Sequence, residues 1–169
     1  MANTYTLIEA QTLSTTAASV TLGSGGTIPQ TYTDLCLFIS ARDNDGGATG
    51  AFSTFEFNGS IAPSGVYIFG NGSAASSNTV HKAPLENGGG STANTFSNSS
   101  FYMPNYANTS YNKSYSVDGV VETNATEAYQ LLIAGLVATT SAITSIKVTP
   151  GTGSFVQYST FYLYGIKNS

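Results

Sequence analysis

The feature that most constrains the fold is a succession of short segments rich in Val, Ile, Thr, Tyr and Phe, separated by turns of Gly, Asn and Pro. Runs of this kind, bounded by turn-forming residues, are typical of β-strands. Nowhere do apolar residues recur at three- and four-residue spacing over a dozen positions, as an amphipathic helix requires. Strands are predicted at residues 4–11, 18–23, 33–42, 52–59, 66–72, 94–105, 112–123, 128–139, 143–151 and 157–168, with a further short one around 79–83.

About ten strands with little or no helix predict an all-β fold, and the turn spacing favours a jelly-roll-like antiparallel β-sandwich. The chain has 169 residues, a length that fits one domain with a sizeable core. No repeat of fixed period and no linker divides it, so residues 1–169 are predicted to form a single β-sandwich domain. The shorter strands of the first half and the longer ones of the second half are candidates for the two sheets.

Two of the predicted strands are apolar on both faces. Successive side chains of a strand point to opposite faces, and segment 128–139 is apolar at both sets of positions, which predicts a central strand. In the segment 157–166, QYSTFYLYGI, one face carries Phe161, Leu163 and Gly165. The opposite face carries Tyr162, Tyr164 and Ile166. An antiparallel sheet commonly has one apolar and one wet face, so a second layer or another subunit is expected over the other face.

Composition excludes several classes of function. Charged residues make up 8% of the chain, against about 25% in an average soluble domain. The net charge is −4 and the five basic residues are scattered singly, so nucleic-acid binding through a basic patch is not expected. No apolar run approaches the length of a membrane span, and the first residues lack the pattern of a signal peptide. The single Cys36 is predicted to be a buried thiol.

The chain offers few residues for catalysis. Its one histidine, His81, lies in the segment with the weakest strand signal, residues 73–93, and is predicted to be a loop residue. Asp118 and Glu122 are the best candidates for a carboxylate pair, and Glu56 is a further isolated acid, but the chain has no Trp for a sugar platform. We therefore predict no enzymatic activity, no catalytic residues and no cofactor.

The segment DNDGG, in which Asp43, Asn44 and Asp45 precede a glycine, resembles the opening of a calcium-binding loop. The glutamate that such a loop carries at its twelfth position is replaced by Thr54. A turn rich in Asp, Asn and Gly is the more common meaning of this pattern. We predict no metal site, and calcium binding at Asp43–Asp45 stays an open alternative.

Tyrosines are the residues that most suggest an interface. Tyrosine is enriched at protein interfaces, where its ring can be buried while its hydroxyl group stays in contact with water. Alternation predicts that several lie on the surface, and we predict an interface that contains Tyr102, Tyr106, Tyr111, Tyr162 and Tyr164. The shortage of charge points the same way, since isolated soluble proteins keep charges dispersed on their surface.

Four stretches carry a resemblance to a known class of protein: TYTLIEAQTLSTTAASVTL, IPQTYTDLCLFISAR, FEFNGS and NATEAYQLLIAGLVATTSAITSIKVTPGTGSFVQYSTFYLYGI. Together they resemble small virion structural proteins of tailed bacteriophages, particularly phages of cyanobacteria and other aquatic bacteria. The resemblance covers nearly the whole chain and departs most at residues 60–95. It contains no catalytic signature.

The resemblance implies a location in the virion, after assembly in the host cytoplasm, and two placements compete. The first is a capsid cement or decoration protein that binds the major capsid protein on the outside of the shell and associates with itself as a homotrimer. The second is a tail-fibre or adsorption module that binds host-surface carbohydrate, for which the loops around Asp43–Asp45 and Asn105–Tyr111 are candidates. The absence of any shaft-like segment favours the first.

Overall fold

The computed structural model describes residues 4–23, 25–46, 50–79, 84–123 and 128–167, and within these ranges it contains thirteen β-strands and no helix. The described part of the chain thus offers no helix that is long and apolar enough to cross a membrane. The strands are β1 (Tyr5–Thr12), β2 (Val20–Leu22), β3 (Asp34–Ser40), β4 (Gly50–Phe52), β5 (Thr54–Phe57), β6 (Ser64–Gly70), β7 (Ala75–Thr79), β8 (Leu85–Asn87), β9 (Asn98–Met103), β10 (Lys113–Glu122), β11 (Ala128–Val137), β12 (Ile146–Thr149) and β13 (Thr160–Ile166).

The fold prediction, an all-β antiparallel sandwich, is confirmed. Eight strands form one large sheet in the order β1-β13-β3-β9-β10-β11-β6-β7, and every neighbouring pair is antiparallel. A three-stranded sheet, β2-β12-β5, and a two-stranded sheet, β4-β8, complete the structure. The division of the sheets by sequence halves is wrong, because β1, β3 and β6 pair with strands of the second half, and β12 of the second half pairs with β2 and β5.

The core lies between the large sheet and the three-stranded sheet. Rings from both sides meet in it: Phe55 of β5 lies 5.1 Å from Phe101 of β9 and 6.1 Å from Tyr115 of β10, measured between ring centroids. Phe57 packs against the same two rings. Aromatic pairs of this kind contribute about 0.5–1.5 kcal/mol beyond the area that they bury. Aromatic side chains of both layers therefore contact one another in a core that also contains many aliphatic side chains, such as Val20 and Ile146.

Turn chemistry explains where several strands end. The predicted Asn-Gly turn after β5 places Asn58 at φ 51° and Gly59 at φ 79°. Two consecutive residues with positive φ are what a tight type I′ turn needs. The Asn58 side chain also accepts hydrogen bonds from the N–H groups of Thr144 and Ser145, at 2.7 and 3.4 Å. The turn is thereby tied to the chain that leads into β12.

Strand β13 has one face in the core and the other at the surface. Phe161 and Leu163 are fully buried on the inner side, and the ring of Tyr32 packs against Gly165, where a Cβ would overlap it. Tyr162 and Tyr164 on the opposite side are half-buried. Within the described residues no second layer of this chain covers that side.

Strand β11 is an interior strand of the large sheet, between β10 and β6, as its apolar sequence predicts. Its inner residues Leu131 and Ile133 are buried, whereas Leu132 and Leu136 on the other face are exposed. The second apolar face of this strand therefore also opens to the surface.

Candidate interaction surface

The most distinctive surface of the protein is the side of the large sheet that faces away from the core, which we call the outer face. It is formed by alternate residues of the eight strands, and their pairing aligns them into rows. Many of its side chains are apolar or aromatic and open to solvent. The exposed large apolar side chains of the outer face are Tyr5, Leu7, Phe38, Val66, Ile68, Tyr102, Val120, Leu132 and Leu136.

Two rows that run across nearly the whole sheet show how this face is built. Strand pairing aligns the first row as Leu7, Tyr164, Cys36, Tyr102, Ser116, Ala134 and Val66. The second row runs as Ala10, Tyr162, Phe38, Ser100, Asp118, Leu132 and Ile68. Aromatic rings thus concentrate on the β1 side of the sheet and aliphatic side chains on the β6 side.

The rings on the β1 side hold one another in place. Tyr164 makes edge-on contacts with Tyr5 and Phe38, at centroid distances of 6.3 and 5.8 Å. The Tyr102 hydroxyl donates a hydrogen bond of 2.9 Å to Asp34 Oδ2, and Asp34 Oδ1 accepts another from the Asn105 N–H. Fixed rings lose little conformational freedom when a partner binds, so this part of the outer face is arranged for contact.

Cys36 sits in this aromatic part of the outer face and is nonetheless buried, 6% exposed. It is a free thiol, and burial raises its pKa to about 11. The thiolate is the reactive form of cysteine, so Cys36 is an inert packing residue at neutral pH, in agreement with the sequence prediction.

Charge is nearly absent from the outer face. The eight strands carry one basic residue, Lys113, which is buried and donates hydrogen bonds to the carbonyls of Tyr111, Thr139 and Thr140. Two exposed acids lie on this face, Asp118 at mid-strand and Glu122 at the end of β10. The outer face is therefore apolar and weakly acidic, with no described Lys or Arg side chain on it.

The five predicted interface tyrosines fall into three groups. Tyr102 is 40% exposed on the outer face, and Tyr162 and Tyr164 are half-buried there beside it. Tyr111 is exposed, but it lies in the connection between β9 and β10. The expectation that Tyr106 is exposed is wrong, since its side chain is fully buried in the core.

The turn after β9 explains the position of Tyr106. Asn105 adopts a φ of 52°, a left-handed conformation that breaks the strand alternation from which exposure was predicted. The Tyr106 hydroxyl then donates a hydrogen bond to the Pro29 carbonyl, and burial raises its pKa. Its carbonyl accepts a 2.9 Å bond from the Ile143 N–H.

Several residues of the outer face escaped the sequence analysis, namely Leu7, Phe38, Val66, Ile68, Leu132 and Leu136. An apolar side chain read from sequence is assigned to the core by default. The signal in the sequence was that segments 128–139 and 157–166 are apolar on both faces. If the strand beside each of them had been known, this pattern would have indicated a sheet with an apolar face at the surface.

The candidate catalytic residues are not brought together. Asp118 and Glu122 share one face of β10 but lie four residues apart, which is roughly 13 Å along a strand and beyond the roughly 9.5 Å that separates the carboxyl groups of glycoside hydrolases. Glu56 forms an ion pair of 3.9 Å with Lys147 on the three-stranded sheet. His81 lies outside the described residues.

Three side-chain oxygen atoms of the Asp43–Asp45 loop accept hydrogen bonds within the protein. Asp43 Oδ1 accepts hydrogen bonds from the N–H groups of Asp45 and Gly89, at 2.8 and 3.3 Å. Asn44 Oδ1 accepts one from Ser154 N–H, and Asp45 Oδ2 accepts one from the Thr152 hydroxyl. Within the described ranges no three His, Cys, Asp or Glu side chains form a group that could hold a metal ion. These hydrogen bonds connect the chain after β3 to the turn before β13.

A comparison of the chain with family models, curated proteins and solved structures finds no match.

Proposed function

We propose that this protein is a non-enzymatic structural protein of a tailed-phage virion, a capsid cement protein that attaches to the outside of the shell through the outer face of its large sheet. The observation that carries this proposal is the exposed apolar outer face with its near-absence of charge. The resemblance to virion structural proteins supplies the class of partner. The protein then stabilises the shell by burying this face against the major capsid protein.

The size of the outer face suits such a role. Eight strands spaced about 4.8 Å apart, with a shared height of about six residues at 3.3 Å each, span on the order of 700 Å². A standard specific interface buries about 800 Å² on each partner. The outer face is therefore large enough to support a stable complex by itself.

Its chemistry suits the role as well. Monomeric soluble proteins rarely expose a contiguous apolar patch of more than a few hundred Å², and larger patches mark interaction sites. Removing a charged group from water has an effective cost of several kcal/mol, and most of the outer face carries no charge to desolvate. When many copies bind one shell, their modest contact energies add up, and the shell becomes much harder to break.

Self-association into a homotrimer belongs to the same proposal, with the contacts between copies placed at the sheet edges. Strand β7 forms one edge, and all five of its residues are exposed and uncharged. Natural edge strands usually carry charges, Pro or bulges that prevent pairing, and the opposite edge, β1, has such a bulge between Leu7 and Glu9. The unprotected β7 edge is thus the one suited to contact a sister copy.

The test is attachment to shells assembled without this protein. Wild-type protein should co-sediment with such shells and raise the temperature at which they break. The double variant Leu132→Thr plus Ile68→Thr removes two exposed apolar side chains and should abolish attachment while the domain stays folded. Tyr158→Asn, which removes an exposed ring outside the strands, should attach as wild type does.

The proposal is wrong if the wild-type protein does not attach to such shells, or if the double variant attaches as well as wild type. Turnover of any host polysaccharide by the purified protein would equally contradict it.

A further inference from the structure

One acidic side chain stands at the centre of the otherwise apolar outer face. Asp118 is the sixth of the ten residues of β10, and β10 is the fifth of the eight strands of the large sheet. Its cross-strand neighbours are Ser100 on β9 and Leu132 on β11. Its neighbours along the strand on the same face are Ser116 and Val120. A flat partner that covers the outer face must therefore also cover the Asp118 carboxylate.

Asp118 has no partner of its own within the described residues. No described residue donates a hydrogen bond to the Asp118 carboxylate. The one ion pair among the described residues joins Lys147 to Glu56 on the three-stranded sheet. Asp34, the acid that begins β3 in the same sheet, is by contrast buried and accepts two hydrogen bonds. Covering Asp118 without a cation would leave an uncompensated charge in the interface, which is strongly unfavourable.

Among the described residues, a second copy of this chain presents no Lys or Arg on its outer face that could pair with Asp118, and Lys82 lies outside those residues. Lys113 is buried, and Lys147 is paired with Glu56 on the three-stranded sheet. Lys167 is exposed, but it follows the end of β13, three strands away from β10. Arg42 donates to four backbone carbonyls of the segment 89–95. If two copies stacked their outer faces about a central twofold axis, the two Asp118 carboxylates would meet, and like charges in contact oppose association.

We infer that the outer face is covered by a different protein, whose contacting surface is flat and apolar and presents one Lys or Arg side chain that pairs with Asp118. This inference rests on the proposed function, in which that protein is the major capsid protein. The apolar surroundings of Asp118 supply the affinity, and the charge pair fixes the position and orientation in which the domain is seated. Charge-assisted hydrogen bonds to a carboxylate are strongest when an Arg makes them bidentately.

The test measures attachment of wild type, Asp118→Asn, Asp118→Lys and Glu56→Gln to shells assembled without this protein, at low and high salt. Asp118→Asn leaves the partner's cation buried without a counter-charge, so its affinity should fall by about tenfold or more, and Asp118→Lys should fall further. Glu56→Gln removes a half-buried acid from the other sheet, far from the outer face, and should bind as wild type does. Wild-type affinity should weaken with salt, and that of Asp118→Asn should change little.

The direction of the change decides the question. If no cation faces Asp118, the amide is easier to bury than the carboxylate, so Asp118→Asn would bind equally well or more tightly, and the inference would be overturned while the proposed function stands. Failure of the wild type to attach would overturn both. Sedimentation of free protein gives an independent check: dimers that tighten in Asp118→Asn would show that a second copy covers the outer face and would likewise overturn the inference.

Discussion

Glu86 and Asp43 place their carboxyl groups next to each other in the interior of the protein, with exposed fractions of 1% and 0%. Glu86 accepts hydrogen bonds from the Ser53 hydroxyl and from the Gly151 N–H. Burial, which outweighs these bonds, raises its pKa to about 8, and the neighbouring Asp43 raises it further. The pKa of Asp43 is raised as well, again chiefly by burial. At neutral pH the Glu86 carboxyl group is therefore mostly protonated.

The first prediction concerns the pH dependence of stability. Glu86 ionises near its ordinary pKa of 4.5 in the unfolded chain and near 8 in the folded protein, so the folded state binds more protons between these values. The free energy of unfolding should thus fall as pH rises from about 4.5 to about 8, by roughly 5 kcal/mol at about 1.4 kcal/mol per pKa unit. Below about pH 4.5 Glu86 is protonated in both states, so it causes no further change in the free energy of unfolding.

The variant Glu86→Gln should remove most of this slope, because a neutral amide resembles the protonated acid. Urea unfolding of wild type and Glu86→Gln at pH 5 and pH 9 measures the effect, with Glu56→Gln as a control that changes a half-buried carboxylate. The variant should gain stability over wild type at pH 9. Parallel profiles for the two proteins would contradict a buried, protonated Glu86.

The second prediction compares two buried tyrosine hydroxyls. The hydroxyl of Tyr115 is buried without a hydrogen-bond partner among the described residues, whereas that of Tyr106 donates to the Pro29 carbonyl. Tyr115→Phe should therefore stabilise the protein by about 1 kcal/mol, and Tyr106→Phe should destabilise it by about the same amount. Denaturant unfolding of the two variants tests both signs at once. Equal losses would show that Tyr115 also has a partner.

The third prediction concerns the glycine beneath the Tyr115 ring. Gly135 pairs with Tyr115 across β10 and β11, and a Cβ at Gly135 would overlap that ring. Gly135→Ala should cost about 3 kcal/mol, the upper end of the usual range for overpacking a core. Gly70→Ala is the matched control, because a Cβ at Gly70 meets only ordinary contacts at 3.5 Å and beyond. A second substitution, Tyr115→Leu, should recover much of the loss.

The fold class was predictable because period-two alternation and turn residues are local signals. The Asn-Gly turn at Asn58 and the interior position of β11 followed from such signals. Strand order did not, since β1 pairs with β13 and β3 lies between β13 and β9, and nothing local encodes such distant partners. The predicted segment 52–59 instead divides at Ser53 into β4 and β5, which belong to different sheets.

The interaction surface was predictable only in part, for a related reason. Tyr102, Tyr162 and Tyr164 lie on the outer face because alternation holds along β9 and β13. Alternation fails at Tyr106, where the positive φ of Asn105 turns the chain inward. The aliphatic half of the surface, such as Ile68 and Leu132, becomes visible only once the sheet order shows which apolar side has no second layer.

The last prediction concerns the segment 89–95, which overlaps the end of the region with the weakest strand signal. Arg42 holds this segment through its guanidinium group, which donates to the carbonyls of Thr92, Ser91, Thr95 and Gly89 at 2.8 to 3.2 Å. A lysine offers a single ammonium group in place of the planar fork and cannot reach four carbonyls at once. Arg42→Lys should therefore accelerate amide hydrogen exchange in 89–95 by about tenfold or more, whereas exchange in β10 should stay unchanged. Uniform acceleration across the domain would show global destabilisation, and unchanged exchange in 89–95 would show that other contacts order this segment.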